Sequence, residues 1–345
     1  MEFRESYSYD DILLVPRFSD LHSRNDADIS MEGYDLPIVM SPMDTITTPE
    51  MVDLFLESNL IATVHRYFKS GEEQLAYMHS DNKITNKSRL DKAFFAVGSV
   101  LKYREWIDLL LQAGVKNFLV DLAHGDSLAS IETVKYLDLH VGSIMAGNVA
   151  TKSGFERLQN AGAKYIRCGV GAGSICETRL NTGFGVPQFT AITDCASRKN
   201  KGVFLIADGG IKNNGDIAKA MAGGADFAML GKVLAGTDLA AGDCYDKNKE
   251  LSPLQKDICF KGYHGMASRK AREGVLSYAS IEGACGMIPY TGKTENLLND
   301  IKLNLKASMS YCGTRNWTEF KKNVKIIKIS DSSILENGTH LSSYN

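Results

Sequence analysis

Eight short runs of β-branched and other apolar residues recur along the chain, at 37–43, 60–66, 94–100, 117–124, 142–149, 165–171, 203–210 and 227–233. Their starts lie 23, 34, 23, 25, 23, 38 and 24 residues apart. A strand, a helix and two loops take roughly that length, so each interval holds one βα unit. Residues 50–58, 103–113, 128–137, 152–161 and 214–223 place apolar side chains at i, i+3 and i+4, which predicts helices with one buried face. Near-continuous apolar strands predict a parallel sheet covered on both faces. Eight of them predict a closed (β/α)8 TIM barrel, with an open doubly wound sheet as the alternative. Two intervals are long. The sixth run is followed by a Gly-rich loop carrying a cysteine. About 60 residues then pass between the eighth run and an amphipathic segment at 296–309. In a barrel both insertions fall at the C-terminal ends of strands, where active sites form, the first as an active-site loop and the second as a flap. The chain reads as a single barrel domain over 1–345, with a loosely ordered Ser- and Asn-rich tail from about 328.

The composition agrees with this reading. Of 345 residues, 44% are apolar and 23% charged, which excludes a disordered, collagen-like or coiled-coil chain. The net charge of −2 provides no global field for nucleic acid or an anionic membrane, so any anionic ligand needs a local site. No stretch of 18 apolar residues occurs, and the start MEFRESYSYDD is too acidic and polar for a signal peptide. Seven cysteines without a Cys-x-x-Cys pair suggest a reduced, cytoplasmic protein with no disulfide framework or zinc knuckle.

Candidate chemistry gathers at the ends of the runs. In GVGAGSICETRLNTGFGVPQ (169–188), Gly169, Gly171 and Gly173 let the backbone approach a ligand or ion. Ser174 offers a hydroxyl and an N–H suited to phosphate. Cys176 sits where exposed N–H groups can stabilise a thiolate, and Thr178 can relay a proton. The bland alternative is a tight turn around a buried cysteine. ADGG (207–210) ends the seventh run: Asp208 can accept both hydroxyls of a ribose, and Gly209 and Gly210 admit a phosphate to the backbone. Gly231 and Lys232 end the eighth run, beside the usual phosphate site of this barrel. Asp208 could equally be a helix cap, and Lys232 a solvated charge. Asp121, at the end of the fourth run, suits a carboxamide or ribose, with His124 a loop residue. Glu282, inside the second insertion, matters only if that insertion folds over Cys176.

SPMDTIT (41–47), DLAHGDS (121–127), AGNV (146–149), GVGAGSICETR (169–179), ADGGI (207–211) and YHGM (263–266), with YDDILLVP (9–16) at the start, together resemble the IMP dehydrogenase/GMP reductase family. The resemblance runs from about residue 7 to 330 with its motifs in order. It implies a barrel that binds a purine nucleotide monophosphate, GMP or IMP, with Cys176 attacking C2 of the purine. Thr178 and Glu282 would form a proton relay. Ser174, Asp208, Gly209, Gly210, Met229, Gly231, Lys232, Tyr263, Gly265 and Met266 would surround the nucleotide. A nicotinamide cofactor would lie against Arg66, Asp121, Leu122, Ala123, Val170 and Gly171. Ser23 and Arg24 would reach its adenosine end from a neighbouring subunit of a homotetramer. A monovalent cation, K+, would be held by carbonyls of Gly171, Gly173, Cys176 and Arg179.

Within the family, three features resemble the reductase branch, which uses NADPH. The interval between the second and third runs is too short for a CBS pair. Only 15 residues separate Met266 from Glu282, with no Arg-Tyr pair among them. TRLNTGFG (178–185) and SYCGT (310–314) look like reductase segments. Lys232, Glu177 and Ala279 depart from the family pattern. The alternatives are a dehydrogenase core without CBS domains, and a nucleotide-binding barrel without catalysis.

Overall fold

The structure, a computed structural model, describes residues 3–79, 86–252, 257–265 and 283–337. All eight runs form parallel strands: β2 (Ile38–Met40), β3 (Thr63–Val64), β4 (Phe94–Val97), β5 (Asn117–Asp121), β6 (Ser143–Val149), β7 (Tyr165–Cys168), β8 (Phe204–Asp208) and β9 (Phe227–Leu230). They follow one another in chain order around the sheet, and β9 pairs with β2. The ring closes where Val39 bridges Ile61 and Met40 N–H donates to Ile61 O at 3.1 Å. The fold is therefore the (β/α)8 barrel, and the open sheet is excluded.

Alternation along each strand builds two cores. Phe94, Leu119, Met145, Tyr165, Phe204, Ile206 and Phe227 fill the barrel. Phe95, Phe118, Ile144, Ile166 and Leu205 face outward under the helices. The five predicted helices are present as Pro49–Glu57, Val100–Gln112, Leu128–Asp138, Lys152–Asn160 and Asn214–Ala222. Each is entered through a side-chain N-cap, from Thr48, Ser99, Ser127, Thr151 and Asn213 respectively. Such a cap is worth about 1 kcal/mol and fixes where each loop ends. The segment at 296–309 lies in the helix Thr294–Cys312.

Two small sheets stand outside the barrel. β1 (Ile12–Val15) pairs antiparallel with β13 (Lys325–Lys328), tying the two terminal segments together. Of the tail expected to be loose from about 328, the described part is tied down: Ile329 N–H donates to Asp11 O at 2.9 Å, and Ser330 caps a short helix, Asp331–Ile334, while 338–345 lie outside the described residues. Its serines, which resemble loop composition, serve partly as caps. β10 (Cys244–Tyr245), β11 (Phe260–His264) and β12 (Cys285–Pro289) form a three-stranded sheet at the base of the second insertion.

Candidate active site

The C-terminal mouth of the barrel opens into a cavity of about 590 Å³. Cys176 lines it on the loop after β7, half-buried, with its thiol donating to Thr178 Oγ1 at 3.1 Å. The loop is held from both sides. Cys176 N–H donates to Gly173 O at 3.0 Å, and Ala284 N–H donates to Ile175 O at 2.9 Å. Cys176 bridges Gly283, and Gly265 N–H donates to Ala284 O at 2.9 Å. The base of the second insertion, at Gly265, Gly283 and Ala284, therefore packs against the cysteine loop. Glu282, Met266 and Ala279 themselves lie outside the described residues.

Gly169 shows why glycine opens this loop. Its φ is +151°, and a Cβ there would sit 1.8 Å from Asp208 O, so any side chain would force β7 and β8 apart. Gln188 fills the crossing, donating from Nε2 to Cys168 O at 2.8 Å and to Asp208 O at 3.1 Å.

On the β8–β9 side, Ser174, Asp208, Gly209, Gly210, Met229, Gly231, Lys232, Tyr263 and Gly265 all line the cavity. Tyr263 is buried, and burial pushes its phenol up to about 12 against a hydrogen bond with Ser174. Asp208 is less free than the sequence suggests. Its Oδ2 accepts from Asn148 Nδ2 at 2.7 Å and from Arg167 Nε at 3.0 Å. Lys232 is exposed at the rim and pairs with no carboxylate among the described residues.

On the β3–β5 side, Arg66, Asp121, Leu122 and Ala123 line the wall, and Val170 and Gly171 continue it. Asp121 Oδ1 accepts from Arg167 at 2.6 Å and Oδ2 from Arg66 at 3.2 Å. Burial alone would raise this carboxyl, but the two guanidinium groups outweigh it and hold it below the usual range. Among the described lining residues the cations Arg66, Arg167, Arg179, Lys212 and Lys232 face three carboxylates, Asp10, Asp121 and Asp208. Five against three leaves two positive charges, the complement of a phosphate dianion.

Gly173 O already accepts from Cys176, and Arg179 O accepts from Gly183 at 3.1 Å. A carbonyl oxygen keeps a second lone pair, so these hydrogen bonds do not exclude a hard monovalent cation bound through backbone oxygens. On the β3–β5 side the lining offers a carboxylate and a guanidinium, Asp121 and Arg66, groups that can hydrogen-bond a carboxamide or a ribose. Ser23 and Arg24 do not line the cavity within this chain. Ser23 instead caps a 3₁₀ turn, Arg24–Asp26, far from the cysteine loop in sequence. Arg167, Asn148 and Gln188 were missed. Arg167 and Asn148 show only as polar residues inside otherwise apolar strand runs, and Gln188 only as the first residue of the helix Gln188–Ala196.

A family model described as "IMP dehydrogenase / GMP reductase domain" matches residues 6–340. The chain is 32% identical to human GMP reductase 1 over 341 residues, covering 93% of this chain and 94% of that protein. It is 40% identical over 270 residues to an inosine-5′-monophosphate dehydrogenase of Chlorobaculum tepidum, covering 72% of this chain and 52% of that protein. A solved GMP reductase of Trypanosoma brucei in complex with guanosine 5′-monophosphate has the same fold, with a TM-score of 0.87 at 24% identity over 99% of each chain. The chain thus belongs to the IMP dehydrogenase/GMP reductase family of oxidoreductases.

Proposed function

We propose that the protein is a GMP reductase, converting GMP to IMP and ammonia at the expense of NADPH. The observation that carries this reading is the seat of Cys176: half-buried, 3.1 Å from Thr178 Oγ1, and bridged to Gly283, the neighbour of Glu282. That arrangement presents a nucleophile beside the Thr178 hydroxyl at the cavity where a purine would bind. The branch rests on the short second insertion. Its 15 residues between Met266 and Glu282 lack the Arg-Tyr pair that would activate water in the dehydrogenase branch. The near end-to-end match to the human reductase agrees with it.

In this reading the Cys176 sulfur adds to C2 of GMP, and Glu282 acting through Thr178 protonates the departing amine. The cofactor, when bound, supplies a hydride to C2. The C2–S bond then breaks, which returns the electron pair to sulfur and frees IMP. Asp208 holds the ribose, through the oxygen that Arg167 leaves open. Ser174, Gly210, Gly231 and Lys232 hold the phosphate, with Tyr263 behind them. Carbonyls of Gly171, Gly173, Cys176 and Arg179 would hold a K+ ion that stiffens the loop. The unit is a single barrel without a CBS insert, and it works as a cytoplasmic homotetramer in which Ser23 and Arg24 serve the neighbouring subunit. Sedimentation of an active monomer would contradict that assembly.

The second reading, an IMP dehydrogenase core, is favoured by the 40% identity to the Chlorobaculum dehydrogenase. An assay of GMP and IMP, each with NADPH and with NAD, separates the two. NADPH oxidation with GMP and little NADH from IMP is the expected result. XMP formed from IMP faster than GMP is reduced would overturn it.

A further inference from the structure

We infer that Arg167 is a positioning residue that makes the nucleotide and cofactor sides of the site one unit, so that filling either side orders the other. The inference rests on the functional reading above and concerns a residue outside the proposed relay and phosphate cradle.

Arg167 stands on β7 with its side chain 8% exposed, facing into the mouth of the barrel. One guanidinium reaches both walls. Its Nε donates to Asp208 Oδ2 at 3.0 Å, its NH2 lies within ion-pair distance of the same oxygen at 2.8 Å, and its NH1 donates to Asp121 Oδ1 at 2.6 Å. The two carboxylates end strands three places apart around the ring, β5 and β8, and Arg167 spans the gap across β6. Gly147 opens the path. It is the register partner of Asp121, and a Cβ there would lie 2.6 Å from the Arg167 Cβ. A lysine in place of Arg167 would deliver a point charge to one wall, whereas the planar fork serves both.

The electrostatics make the three groups interdependent. Burial opposes the charge on Arg167, and the two aspartates together keep it raised. Asp208 Oδ2 carries two donors, Arg167 Nε and Asn148 Nδ2 at 2.7 Å, beside the Arg167 NH2 ion-pair contact, which leaves Oδ1 without a protein donor among the described residues. A hydroxyl bound at Oδ1 fixes that carboxylate, which fixes the fork, which fixes Asp121. Buried charges that lose one partner are destabilised strongly, so the members cannot loosen independently. By linkage the effect runs equally in the other direction.

The test is calorimetric titration of the full chain with GMP and with NADP+, the oxidised cofactor that cannot reduce GMP, each alone and with the other saturating. In the wild type each ligand should tighten the other about tenfold, inside the usual range for coupled sites. Arg167→Lys should bring that factor below about twofold while each ligand alone still binds. If this variant does not fold, Asp121→Asn provides the second arm. With no dinucleotide present it should weaken GMP by about three- to tenfold, although Asp121 lies on the cofactor wall. Wild-type coupling in Arg167→Lys, or unchanged GMP affinity in Asp121→Asn, would overturn the inference. So would a wild type that binds both ligands without coupling, which leaves the reductase reading standing. A wild type that binds neither ligand overturns the reductase reading and this inference with it.

Discussion

Along β8 the inward positions read Phe204, Ile206, Asp208, and along β7 they read Tyr165, Arg167. The floor of the barrel is aromatic: Tyr165 lies 5.4 Å from Phe94 and 5.2 Å from Phe204, and Phe227 lies 5.8 Å from Tyr34, ring centre to ring centre. Two residues further along the same strands the mouth is a buried ion network under glycine loops. The floor is satisfied within the chain, by packing and by a hydrogen bond between Tyr165 and Tyr34, and asks nothing of a ligand. The mouth holds charges that packing cannot satisfy, and each needs a designated partner. Stability should therefore live at the floor and binding at the mouth, and substitutions should separate the two.

The largest effect is expected at the mouth. Cys176→Ala should lower turnover by roughly 10³-fold or more while GMP affinity and the melting temperature stay near wild type. Appreciable turnover in the purified variant would break the assignment. Glu282→Gln should lower GMP deamination by about 10²–10⁴-fold, with hydride exchange between IMP and the oxidised cofactor suffering less, as followed by isotope transfer. At the floor the sign reverses. Phe204→Ala should cost about 3–5 kcal/mol in denaturant unfolding yet leave the KM for GMP of the remaining folded protein unchanged.

His65 tests the buried polar shell between the two ends. It stacks on Phe68 at 4.3 Å, its Nδ1 accepts from Tyr67 N–H at 3.1 Å, and burial pushes it down to about 4. Below pH 6.5 the unfolded chain takes up a proton that the folded one refuses until about pH 4. Stability should fall across that window by on the order of 3 kcal/mol, and His65→Gln should flatten the fall in melts taken at stepped pH. The smallest effect belongs to Lys232→Ser, which should raise the KM for GMP by roughly tenfold, leave kcat alone, and leave the binding of guanosine unchanged. Equal losses on GMP and guanosine would place Lys232 away from the phosphate.

The barrel was legible because its strands are apolar on both faces and its helices repeat apolar residues at i, i+3 and i+4, signals that act within a few residues. The cysteine loop was legible for a similar reason, since glycines at 169, 171 and 173 have little other use at a strand end. What the sequence hid is whatever depends on two strands at once. Arg167 reads as one polar residue in YIRC, and only the register of Asp121 against Gly147 shows where its fork goes. Asp208 read as an open ribose acceptor, because nothing local reveals that Arg167 and Asn148 already hold one of its oxygens. The sheet at the base of the second insertion was missed because β10 is only two residues long and β12 pairs with β11 across the insertion, Phe260 with Pro289 and His264 with Cys285.

The most direct measurement is the ammonia released when NADPH is added to the protein with GMP labelled at its 2-amino nitrogen. One labelled ammonia should appear for each NADPH oxidised and each IMP formed, and none should appear with Cys176→Ala. NADPH oxidation without labelled ammonia, or the same release from Cys176→Ala, would contradict the account.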